Sequence, residues 1–172
     1  MTMRVMLEMP STIRRAIWNH LLPPGRGPEQ AAFGFALPGD GEFATTVLRC
    51  TEWQAVPPDG FESRSTMHFE LTQEMQAAAI KRAHDLSASL VEFHSHIGHY
   101  PAAFSPSDIA GFQEFVPHVR WRLKYRPYVA IVVTTGGFDG FAWINGQELP
   151  KPLAGILEDH SLFESTGLST WS

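Results

Sequence analysis

Short apolar runs separated by Gly- and Pro-rich breaks set the pattern of this chain, and the period changes from run to run. Residues 3–9 alternate as a short strand, after which Ile13, Ile17 and Leu21 recur at roughly helical spacing behind Pro10-Ser11. Pro23-Pro24-Gly25 and Gly27-Pro28 stop that helix. A strand is predicted from Glu29 to Leu37, a turn at Pro38-Gly39-Asp40-Gly41, and a return strand over 42–56 closed by Pro57-Pro58-Asp59-Gly60. Residues 61–66 are polar and receive no element, and 67–71 form another short strand. Thr72 caps an Ala-rich helix running to about Ser89. Strand 90–96, loop 97–104 and a helix from Ser105 to about Val116 follow. The pattern then gives a strand edge at 120–125, a buried strand at 128–135, a turn at 136–140 and a last strand at 141–144. Strands outnumber helices and the two do not alternate regularly, which predicts an α+β fold with a mixed sheet and flanking helices.

Length adds that one domain, residues 1–150, accounts for the core, with 151–172 a tail that wraps on it or is partly disordered. The formal net charge of −5 argues against a nucleic-acid partner. No apolar run reaches membrane-spanning length and the first residues lack the apolar core of a signal peptide. With Cys50 the single cysteine, an internal disulfide and a cysteine-based zinc cluster are excluded, so the expectation is a cytoplasmic, reducing setting. Phe112, Phe115, Trp121, Tyr125 and Tyr128 read mostly as core, and as a partner surface if exposed.

Candidate chemistry concentrates where three of the eight histidines fall within six residues, at His94, His96 and His99. Side chains two apart on a strand share a face, so His94 and His96 can bind one tetrahedral ion. Asp108, opening the next helix, is the nearest oxygen donor in sequence. Ser105-Pro106-Ser107-Asp108 also reads as a helix cap with no metal at all. His99 reads as a third imidazole or as an exposed loop residue.

His94-Ser95-His96 followed by Ser105-Pro106-Ser107-Asp108 resembles the motif of the JAMM (JAB, MPN-plus) zinc metalloproteases. The stretch Pro28-Glu29 to Leu37 matches the glutamate-bearing early strand of that family, and the resemblance covers about residues 4–145. Departures exist: residues 97–107 put eleven positions between the second His and the Asp where ten is commonest. Ile97 replaces the usual Pro, and Val91-Glu92-Phe93 stands where a Gly-Trp pair is frequent. The resemblance implies an MPN/JAB, cytidine-deaminase-like architecture, with Zn2+ held by His94, His96 and Asp108. It implies Glu29 as general base and Ser105 as a hydrogen-bond donor to the oxyanion. Glu92 is read as facing away from His94 and set aside as the base, and Glu42, Glu52 and Glu70 are weaker candidates.

The function so implied is an isopeptidase or peptidase cutting after the C-terminal glycine of a ubiquitin-like protein. Its partners would be that protein, its conjugates, and the activating- and conjugating-enzyme-like proteins of bacterial antiviral-defence operons. Segments 57–66 and 97–104 are expected to flank the cleft. A non-catalytic scaffold of the same fold, and a hydrolase acting on a sulfur-carrier protein or a small amide, are the alternatives.

Overall fold

The computed structural model describes residues 3–25, 27–64, 69–98 and 100–172. In chain order the elements are β1 (Arg4–Met9), α1 (Ser11–Leu21), β2 (Ala31–Pro38), β3 (Thr45–Ala55), β4 (Phe61–Arg64), β5 (Phe69–Leu71), α2 (Gln73–Asp85), β6 (Ser89–Ser95), α3 (Pro106–Arg122), β7 (Tyr128–Thr134), β8 (Gly137–Trp143), β9 (Lys151–Pro152), β10 (Gly155–Glu158) and β11 (Ser161–Glu164). Nine of the strands make one sheet in the order β11-β10-β1-β3-β2-β6-β7-β8-β9, while β4 and β5 form a separate hairpin. The large sheet is mixed: β1 runs parallel to β3 and β10, β6 runs parallel to β7, and β2 is antiparallel to both β3 and β6. This is the α+β class that the residue pattern predicts.

Two hydrophobic clusters cover the two faces of the sheet, and the period of two assigns each strand residue to one of them. Val91, Phe93, Val129 and Ile131 face Ile17 and Leu21 of α1. Leu90, Tyr128, Ala130 and Val132 face Ala79 and Ile80 of α2 and Ile109, Phe112 and Val116 of α3. The central strands are buried on both faces, which is why β7 reads as an unbroken apolar run.

Several boundaries differ from the sequence reading, each for a local reason. Helix α2 stops at Asp85, short of Ser89, because Ser87 adopts φ 52° and the N–H of Ala88 reaches back to the carbonyl of Ala83 at 2.8 Å. That closure satisfies the helix end and releases Ser89 to begin β6. The strand edge placed at 120–125 does not form, since α3 continues through Pro117 to Arg122. Burial at Ile109, Phe112, Val116 and Val119 keeps the helical period across the proline. Pro117 and Gln113, the residue whose carbonyl loses its intrahelical donor, both lie on the exposed side of the helix. Residues 61–64, left without an element, form β4, and only 69–71 of the strand expected at 67–71 is among the described residues.

Residues 151–172 are built into the architecture. β10 lies parallel beside β1, with Met6 opposite Gly155, and β11 turns back as the exposed edge. The last residues carry no regular element but are tied down: the buried carboxylate of Asp139 accepts from the N–H groups of Gly167 (3.1 Å) and Ser169 (2.8 Å). The Trp171 ring stands edge-on to Phe141 and Trp143. Of the five aromatics read mostly as core, Phe112 and Tyr128 are buried and Phe115 partly so, whereas Trp121 and Tyr125 are exposed at 64% and 57%.

Candidate metal centre

His94 comes last but one in β6, opposite Ala31 of β2, and sits on the face that α2 and α3 cover. The ladder extends one step further, because Ser95 donates its N–H to the carbonyl of Gln30 at 3.0 Å and its hydroxyl accepts from the N–H of Gln30 at 2.9 Å. This anchors the approach to β2. Glu29, two residues before Ala31, therefore falls on the His94 side of the sheet, where it is 4% exposed and lines the same cavity. His96 follows β6, its N–H bonded to Val133 of β7 at 3.0 Å.

Asp108 arrives from the other direction, in the first turn of α3. The N–H of Asp108 donates to the Ser105 hydroxyl at 3.1 Å, and the N–H of Ser105 donates to Asp108 Oδ2 at 2.8 Å, a complete capping box. The same Oδ2 stands 3.0 Å from His96 Nε2 and 3.4 Å from His94 Nε2. Cap and donor cluster, set against each other in the sequence reading, are thus one carboxylate doing both. Its partners hold it in place: burial opposes ionisation of Asp108, but His94, His96 and the Ser105 amide keep it well below the usual carboxylate range. Burial likewise disfavours a charged His94, yet Asp108, Glu92 and Glu29 outweigh it and raise its pKa.

These three side chains fit a metal ion. Their donor atoms all lie within 4.8 Å of one another. Two ligands about 2.0–2.1 Å from a tetrahedral ion stand roughly 3.3–3.4 Å apart, close to the 3.0 and 3.4 Å separations found here. Both ring nitrogens of His94 are buried without a hydrogen-bond partner, a costly state for an imidazole that an ion on Nε2 would relieve. The ring is fenced by Phe69 (5.6 Å between centroids) and Phe104 (5.8 Å), so the donors face a dry wall.

The segment between His96 and Asp108 is pinned at several described positions. Thr135 donates to the carbonyl of Gly98, Thr134 to that of Tyr100 and Thr166 to that of Ala102, while Ser169 accepts from the N–H of Phe104. With this spacing Asp108 reaches both histidines. His99, the possible third imidazole, lies outside the described residues.

A cavity of about 530 Å³ opens beside the cluster, walled by Phe69 and Leu71 of β5, Gln76 of α2, and Phe112 and Phe115 of α3. No described residue of 57–66 or 97–104 lines the cavity itself, whose described walls come from β5, α2, β6 and α3, although Phe104 stands against the His94 ring. Ser105 uses its hydroxyl oxygen as the helix cap, and it is Ser107 that lines the cavity. Glu42 and Glu52 do not line it, whereas Glu70 does. Glu92 also needs correction. It is two residues from His94 and so on the same face, with Oε2 at 4.0 Å from His94 Nδ1 and Oε1 accepting from the Tyr128 hydroxyl at 3.2 Å. The period of two that pairs His94 with His96 places Glu92 with them.

No family model matches the sequence, and no curated protein is similar enough to it to match. Among the described residues no helix is long and apolar enough to cross a membrane.

Proposed function

We propose that the chain is a zinc-dependent isopeptidase or peptidase of the JAMM type, cutting the bond after the C-terminal glycine of a ubiquitin-like protein in the bacterial cytoplasm. The observation that carries this reading is convergence: Glu29, His94 and Asp108, from three separate stretches of chain, line one cavity, and His96 stands with His94 and Asp108 in one donor group. His94, His96 and Asp108 would hold the ion. When bound, zinc lowers the pKa of a water toward ~7 and polarises the scissile carbonyl.

The chain's own residues perform the proton work. Glu29 takes a proton from the attacking water as its oxygen adds to the carbonyl carbon, then delivers it to the amine as the C–N bond breaks. The Ser105 hydroxyl accepts from Asp108 N–H, so the oxyanion role that the resemblance implies would fall to its own hydrogen. Phe69, Phe104 and Phe112 keep bulk water from the donors. The cavity between the hairpin and α3 would receive the extended tail of the ubiquitin-like partner. Operon-encoded activating- and conjugating-enzyme-like proteins would supply the conjugates.

The test is a pair of measurements on purified protein without a histidine tag. Bound zinc should approach one per chain and fall sharply in Asp108→Ala. Glu29→Gln should keep its zinc and lose hydrolysis of a C-terminal amide of a ubiquitin-like protein by ~10²–10⁴-fold. An active Glu29→Gln would remove Glu29 as the base; zinc uptake without any amide hydrolysis would favour a non-catalytic role for the same fold.

A further inference from the structure

Beyond the three ligands and the base, Glu92 lines the cavity and is anchored by a buried tyrosine. Glu92 lies one strand position pair from His94, its side chain only 13% exposed. Its Oε1 accepts from the hydroxyl of Tyr128, a residue of β7 that is 1% exposed and fixed by the Leu90–Tyr128 register. Its Oε2 is left pointing at the back of the His94 ring, 4.0 Å from Nδ1, while Nε2 at the front is 3.4 Å from Asp108. The imidazole is thus bracketed by two carboxylates, one on each nitrogen. Nδ1 is buried and has no hydrogen-bond partner.

Only one tautomer suits that arrangement. If Nε2 is to offer its lone pair to an ion, the proton must sit on Nδ1, and a buried N–H needs an acceptor. Glu92 Oε2 stands 4.0 Å from Nδ1, on a carboxylate anchored at its other oxygen by Tyr128. We propose that Glu92 is a positioning residue, which takes the Nδ1–H of His94 and, held by Tyr128, fixes the tautomer and ring angle that present Nε2 to the metal. The inference rests on the metal-site reading above and adds to it a role for a residue outside the ligand and base set.

Zinc affinity measured by competition with a chromogenic chelator tests it, alongside the Nδ1–H resonance of His94 in the zinc-loaded, nitrogen-15-labelled chain. Glu92→Leu should bind zinc ~10–100-fold more weakly than the unaltered protein, and its Nδ1–H signal should be lost to solvent exchange. Glu92→Gln keeps a carbonyl acceptor of the same length, so it should recover most of the affinity and the protected signal. A Glu92→Leu protein with unchanged affinity and a protected Nδ1–H would overturn the positioning role while leaving the metal site intact. A Glu92→Gln protein as impaired as Glu92→Leu would overturn it as well. Failure of the unaltered protein to take up zinc would instead bring down the metal-site reading, and this inference with it.

Discussion

The sharpest perturbation is at Asp108, where one oxygen closes the α3 cap and faces both imidazoles. Asp108→Asn separates the two roles, since the amide oxygen can still accept from the Ser105 N–H while the charge that an ion needs is gone. Zinc at one hundred times its dissociation constant should add ~2.7 kcal/mol to the unaltered protein. At roughly 2–4 °C per kcal/mol for a chain of this size, that is a rise of about 5–11 °C in melting temperature. Asp108→Asn should show no such rise relative to its own metal-free baseline, in which cap and charge effects cancel. Ser105→Ala provides the complementary variant: it loses the side-chain cap at 3.1 Å, costing about 1 kcal/mol of baseline stability, but should keep the full zinc response. Scanning fluorimetry with and without zinc, with a chelator control, reads all of these. A full zinc shift in Asp108→Asn, or its disappearance in Ser105→Ala alone, would refute the division of labour.

Other consequences can be checked by unfolding and proteolysis. A Cβ at Gly34 would stand 2.8 Å from Cys50 Sγ and 3.1 Å from Phe93 Cε2, so Gly34→Ala should lower stability by about 1–3 kcal/mol in urea titration; an unchanged midpoint would show that β2 can shift. Asp139→Ala removes the acceptor for Gly167 and Ser169, which should cost about 3 kcal/mol and make 165–172 the first site of protease cleavage, while equal cleavage rates would sink the tether. Burial pushes the Cys50 thiol from 9.0 up to about 11. The stability it contributes is therefore complete below the unfolded thiol value and falls as pH rises toward the folded one, by up to ~3 kcal/mol. Urea midpoints across that window should drop more in the unaltered protein than in Cys50→Ala, and parallel slopes would count against it.

The site was legible in the sequence because its residue types occupy positions with strict geometry. His94 and His96 share a strand face by the period of two, and Ser105 to Asp108 spells a helix start whatever else it does. Glu29 needed the resemblance, since only the strand register brings it to the His94 side. Glu92 was misplaced by one step of the alternation, an error that the same period corrects. The helix beyond Pro117 was missed because proline outweighs periodicity in a local reading, whereas packing against the sheet decides it in the fold. The cavity wall was beyond reach for a different reason: β5 is three residues long, and its position under the site depends on contacts that local pattern does not encode.

The placement of β10 has a kinetic side. Its parallel pairing with β1 joins Met6 to Gly155, among the longest-range contacts the chain makes. One edge of β1 stays open until β10, distant in sequence, docks beside it. Contacts of such sequence separation form late and slowly. Docking of β10 is accordingly a late event in folding, and until then the chain displays the backbone of β1 to whatever chaperone or neighbouring strand reaches it first.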